Sequence, residues 1–131
     1  MIIKLYEDFV NGNIDKDILT NEINDLLVDL YDLGFEWYFS SRDYNNSFVD
    51  YIDISIMPIG GVEYNIEFKI DESIMYCVNT LVDWMKEKYG INDSNFSYKL
   101  SLVTLTDIIC KEFEEEELGL MVYEIIIMIG L

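Results

Sequence analysis

Histidine is absent from this chain of 131 residues. Its absence removes the commonest general base and the commonest metal ligand in one step. It also leaves neither cysteine an imidazole partner for thiolate chemistry. Basic residues are scarce: 8 Lys and Arg stand against 26 Asp and Glu, a formal net charge of -18. Such a chain is poorly suited to grip DNA or RNA, because a phosphate backbone is held by clustered Lys and Arg. It is equally unsuited to an anionic membrane surface. Cys77 and Cys110 are the only cysteines. Both have apolar neighbours, which reads as reduced, buried thiols, with a single disulfide as the open alternative. No long apolar run occurs. The most apolar stretch, Leu118 to Leu131, is interrupted by Glu124 and is too short to span a bilayer. The opening Met1-Ile2-Ile3-Lys4 is followed at once by Glu7 and Asp8, which is no signal peptide, so a cytoplasmic protein is expected.

What is present argues for a folded body. The composition is 51% hydrophobic and 15% aromatic, far from that of a disordered acidic tail. The length suits a single domain over 1–131. Residues 1–65 carry 13 acids and 3 bases, and residues 66–131 carry 13 acids and 5 bases. The acidity therefore belongs to the whole domain. Holding like charges on one compact surface costs stability. Solubility or a high-salt habitat is one explanation of that cost, and a surface selected to meet positive charge is the other. Richness in Ile, Asn, Asp, Glu, Lys and Tyr, with one Pro and one Arg, is the usage of an AT-rich bacterial or phage genome.

Periodicity gives the elements. Residues 2–11 make a short amphipathic start that Asn11-Gly12-Asn13 breaks. Asn13 can cap a helix from Ile14 to about Leu33, with Leu19, Ile23, Leu26, Leu27, Leu30 and Leu33 on one face and Gly34 as terminator. Phe35 to Tyr44 alternates, Asn45-Asn46 reads as a turn, and Phe48 to Met57 alternates again with Ile52, Ile54 and Ile56 inward. After Pro58-Ile59-Gly60-Gly61, residues Val62 to Ile70 alternate as a third strand. A second helix runs from about 72 to 89, with Ile74, Val78, Leu81, Val82 and Met85 buried and Gly90 at its end. Phe96 to Leu105 reads as a fourth strand. Thr106 to Glu117 fits a helix loosely, with a continued strand as the alternative. Leu120 to Ile129, apolar and β-branched, suits a central strand buried on both faces. The expected fold is α+β: an antiparallel sheet of about five strands (a three-stranded meander plus two C-terminal strands) packed by two to three helices.

Three groups of acids are candidates for partner binding. Glu22, Asp25, Asp29 and Asp32 recur at spacings of three and four, so they share one face of the first helix. At 1.5 Å per residue, Glu22 to Asp29 spans roughly 10 Å, a spacing comparable with successive phosphates on a strand. No lysine stands at i+4 to neutralise them. The outward face of the meander offers Glu36, Asp53, Glu63 and Glu67, with Tyr38 and Tyr51 as amphipathic contacts. Glu112, Glu114, Glu115, Glu116 and Glu117 form the most concentrated negative spot, able to steer a basic partner. Each group also has an ordinary reading as solvated surface.

Catalytic readings fail on geometry. Asp50 and Asp53 lie three apart on a strand and face opposite sides. Gly60-Gly61 has no following Lys or helix start, and Asn92-Asp93-Ser94-Asn95 lacks the EF-hand offsets. The chain is read as non-enzymatic, with no cofactor and no metal site. Small size, compactness, strong acidity, abundant aromatics and the lack of a catalytic constellation resemble the phage-encoded nucleic-acid mimics, the antirestriction and anti-CRISPR inhibitors. This resemblance is one of composition and carries no residue across. It implies an inhibitor acting in the host bacterial cytoplasm, blocking the nucleic-acid-binding surface of a nuclease or effector complex. Two alternatives stand beside it. One is an immunity protein against a basic toxin nuclease. The other is an acidic secretion-type chaperone, for which a homodimer would be natural.

The charge balance generates a direct expectation. In fluorescence anisotropy at low salt the isolated protein leaves labelled duplex DNA and RNA unbound. Micromolar binding would contradict it.

Overall fold

Two apolar stripes at helical spacing become two helices in the computed structural model, which describes residues 16–43, 50–92, 95–101, 105–109 and 115–130. Helix α1 spans Lys16–Asp32. Leu19, Ile23, Leu27 and Leu30 are fully buried along it. It ends where Gly34 takes a φ of 92°, a left-handed turn that glycine adopts without steric cost. Helix α2 spans Glu72–Tyr89. The Asp71 carboxylate accepts from the Ile74 N–H at 3.0 Å and so caps its start. Gly90, at φ 66°, closes its end with its N–H on the Lys86 carbonyl. Glu72 in the first turn and Lys86 and Lys88 in the last complement the helix dipole.

The strands are β1 (Phe35–Asp43), β2 (Asp50–Pro58), β3 (Phe68–Lys69), β4 (Phe96–Ser101), β5 (Leu105–Ile109), β6 (Met121–Val122) and β7 (Glu124–Gly130). Five of them form one sheet in the order β1-β2-β7-β4-β5, and β3 pairs with β6 in a separate two-stranded piece. Every pairing is antiparallel. The register lines up the dry face in rows. Phe39 stands opposite Ile54, Ile54 opposite Ile127, and Ile127 opposite Tyr98. Trp37, Ile56, Ile125 and Leu100 form the next row, and Ile52, Ile129 and Phe96 the one beyond. These side chains and the stripes of both helices make one continuous core. Asn24 on α1 accepts from the Trp37 indole N–H at 2.8 Å, which ties the helix to the edge strand. Phe35 meets Phe68 edge to face at 4.9 Å between centroids, closing one end of the core.

The α+β class is as the sequence indicates, and both helices lie within about two residues of expectation. The meander does not form. Strand β2 gives its second edge to β7, not to residues 62–70. The reason is burial: β7 brings three fully or nearly fully buried isoleucines to the sheet centre, whereas 62–70 carries Glu63, Asn65, Glu67 and Lys69 at every second position. Residues 59–64 instead coil, with the Glu63 and Tyr64 N–H groups on the Gly60 carbonyl. The expected strand 96–105 stops at Ser101, and 105–109 forms the strand alternative. The run expected as one strand over 120–129 breaks at Tyr123, leaving β6 and β7. On β7 the residues facing the helices are buried, but Glu124, Ile126 and Met128 on the other face are half-buried. The amphipathic start at 2–11, the Asn13 cap, the Asn45-Asn46 turn and Cys110 lie outside the described residues; Cys77 is buried and free.

The two faces of β7 should respond differently to truncation. Ile127→Ala removes a fully surrounded side chain and is expected to cost about 3 kcal/mol. Ile126→Ala, on the half-open face, should cost about 1 kcal/mol. Urea denaturation measures both, and equal losses would contradict this assignment of faces.

Candidate partner-binding site

The helices run antiparallel. At one end Lys88 Nζ of α2 bonds Glu22 Oε2 of α1 at 2.7 Å, while the same ammonium stands 5.2 Å from the Trp84 ring centroid. The Tyr89 hydroxyl donates to the same Glu22 oxygen at 3.4 Å. At the other end Asp29 and Asp32 of α1, Leu33 just past its end, and Glu72, Ser73, Tyr76 and Cys77 of α2 line an open cleft of about 590 Å³. Charge on the helix pair is therefore polarised. Both α2 lysines sit at one end, where Lys88 and Asp25 border the same hollow, and the other end, with Asp29, Asp32, Asp71 and Glu72, holds acids only.

Asp25, Asp29 and Asp32 are exposed, and among the described residues no cation lies within ion-pair distance of them. The last turn of α1 contains no basic residue. Acids there oppose the helix dipole, whose negative end lies at the C-terminus. The Cys77 thiol, 8% exposed, registers the local potential: burial pushes its pKa up, and Asp29 and Asp71 push it further. It stays a thiol at neutral pH, and thiols attack poorly. Tyr76, 71% exposed on the acidic wall, offers a large amphipathic contact.

The structure sorts the other candidate acids. Glu22 belongs to the row by spacing, but it is half-buried and neutralised across the helix pair by Lys88. Glu36 is half-buried, accepting from the Gly60 N–H at 3.3 Å and from the Tyr38 hydroxyl. Two expectations of surface contact need correction. The outward sheet face would expose Asp53, yet it is 5% exposed, because on β2 it is flanked by Ser40 of β1 and Met128 of β7. Glu117 was assigned to a solvated acidic run, yet it is 6% exposed and accepts the Tyr98 hydroxyl at 2.6 Å. The short 3-10 turn Glu115–Glu117 turns that last carboxylate into the core. Glu115 and Glu116 remain exposed, as do Glu63 and Glu67, the latter accepting the Tyr123 hydroxyl. Glu112 and Glu114 lie outside the described residues.

Glu72 and Tyr76 were missed in the sequence. Their signal was present in a weak form: both fall on the exposed side of the second apolar stripe, and only the antiparallel pairing carries them to Asp29 and Asp32. Among the described residues no group of His, Cys, Asp and Glu is placed to hold a metal ion. No helix there is long and apolar enough to cross a membrane. Compared with known proteins, the chain matches no family, no curated protein and no solved structure.

The Tyr89 contact predicts a pH dependence. Burial, the Glu22 charge and the shared hydrogen bond push the hydroxyl from 10.0 up to about 12. The folded state thus holds the proton more tightly than the unfolded state, so this stabilisation is complete below pH 10 and is lost as pH rises toward 12. Denaturant midpoints should fall over that interval, and Tyr89→Phe should remove part of the fall. An unchanged profile in the variant would contradict the contact.

Proposed function

We propose that this chain is a non-enzymatic, acidic inhibitor of the phage anti-defence kind, anti-CRISPR or antirestriction. In this reading the α1–α2 face occupies the basic nucleic-acid-binding surface of a bacterial nuclease. One observation carries it: Asp25, Asp29 and Asp32 form an exposed row on one helix with no ion pair to them among the described residues, and Asp29 and Asp32 lie in its last turn, where negative charge is least favourable. A row kept against self-repulsion and against the dipole suits a surface meant to receive positive charge. The helix fixes the spacing, so the carboxylates are presented with little entropy left to lose on binding. Glu72 adds a fourth carboxylate across the cleft, and Tyr76 and Leu33 add apolar area beside the charges. Binding gains from Coulomb attraction and from the counterions that both surfaces release.

The test is a triple variant, Asp25→Asn with Asp29→Asn and Asp32→Asn. The immobilised protein captures binding partners from a nuclease-bearing bacterial lysate, and the captured nuclease is then studied purified. The triple variant should lower its association rate at least tenfold and flatten the salt dependence, while melting temperature holds or rises. Labelled DNA should compete with the wild type for the same nuclease. Glu114→Gln with Glu115→Gln and Glu116→Gln is the control for bulk charge. Equal small effects from both triples would assign binding to net charge alone. Unchanged affinity in both would reject the mimic and favour the chaperone reading.

A further inference from the structure

The side of the sheet facing away from the helices holds a second, smaller cavity of about 260 Å³. It opens where β2 ends and β7 begins. Met57, Val62 and Ile66 supply apolar wall, and Asn65, Ser101, Tyr123 and Glu124 supply polar groups. No lysine or arginine is among its lining residues. The cavity exists because residues 59–67 do not pair with β2 and instead fold into a wall beside it. Two glycines permit that path. Gly60 takes a φ of 87°, and a Cβ on Gly61 would stand 2.9 Å from the Pro58 carbonyl oxygen. The far side is fixed by the Tyr123 N–H bonding the Ser101 carbonyl at 2.7 Å, directly beside the Ser101–Glu124 pair of the sheet.

We propose that this cavity is a socket for an alkylguanidinium group, such as an arginine side chain carries, with Glu124 as its counter-charge. The inference goes beyond the helix-face reading and does not depend on it. A guanidinium is planar with five donors and no acceptor. Asn65, Ser101, Tyr123 and Glu124, which line the cavity, each carry an oxygen that can accept a hydrogen bond, and the apolar wall accommodates the alkyl stem. Burial pushes the Glu124 carboxyl above its ordinary value, offset in part by the hydrogen bond with Ser55. A carboxylate half removed from water in a cavity lined by no Lys or Arg is one that an incoming cation stabilises. Arginine fits better than lysine, because its weakly hydrated fork can bond a carboxylate and neighbouring oxygens together.

The probe is butylguanidinium, added to 15N-labelled full-length protein and followed through amide shifts. Saturable shifts centred on Gly61, Ser101, Tyr123 and Glu124 are expected. Glu124→Gln should weaken binding at least tenfold. Ile66→Trp, which fills the cavity without altering charge, should abolish it and serves as the second variant if Glu124→Gln does not fold. A parallel titration with acetyl-Gly-Arg-Gly-amide separates the sources: shifts at the same amides identify a protein side chain as the occupant, and shifts with butylguanidinium alone identify a small molecule. Either pattern supports the socket. Shifts spread over the acidic surface, no saturation with either probe, or undiminished binding in a folded variant would overturn it.

Discussion

The isoleucine rows at the centre of the sheet hold together a chain whose charges push it apart. Ile54, Ile56, Ile125 and Ile127 stand side by side on β2 and β7, all of them buried. Each such side chain contributes about 1.5–3 kcal/mol on leaving water. This term offsets the self-repulsion of a body with net charge -18. The same demand sets the topology. The strand with the most apolar inner face takes the centre, and the more polar segment 62–70 is displaced to the margin. That displacement creates the cavity beside Glu124. The helices then lie on the one face whose rows they can cover, and the outer surface of that layer becomes the acidic face.

Local signals were legible where local chemistry decides the outcome. Asp71 and Gly90 bracket α2, Gly34 ends α1, and both apolar stripes are buried, except that Leu26 is only partly buried and Leu33, just past the end of α1, is exposed. The inward alternation of Ile52, Ile54 and Ile56 was equally plain. Strand order was not legible, because it depends on competition between distant segments for one edge of β2. Residues 62–70 alternate as well as β7 does. What separates them is how much each buries once a partner covers both of its sides, and periodicity does not contain that information. The 3-10 turn that buries Glu117 was hidden for a related reason. A run of glutamates reads as solvated until a tyrosine from another strand, Tyr98, reaches its last member.

The acidic row shows the same division. Its spacing along α1 was readable, but its neutralisation was not. Glu22 loses its availability to Lys88, 66 positions away, and Glu72 joins Asp29 and Asp32 only through helix pairing. Of the four acids in the row, the three nearest the C-terminus of α1 are therefore the exposed and unpaired ones among the described residues. All three are exposed and without an ion pair among the described residues, and Asp29 and Asp32 also face an unfavourable dipole. On those terms they do not favour folding, and the proposed role in recognition is what would account for them.

The proposed role requires the exposed carboxylates of α1 to be uncompensated in the free protein, and the melting temperature as a function of salt tests that most directly. Screening shortens the reach of like-charge repulsion to about 3 Å at 1 M salt. The wild type should therefore melt progressively higher from low to molar sodium chloride, and a variant with Asn at 25, 29 and 32 should melt higher at low salt with a clearly shallower rise. Equal salt slopes in the two proteins would contradict the claim, because they would show that these three charges are already balanced within the fold.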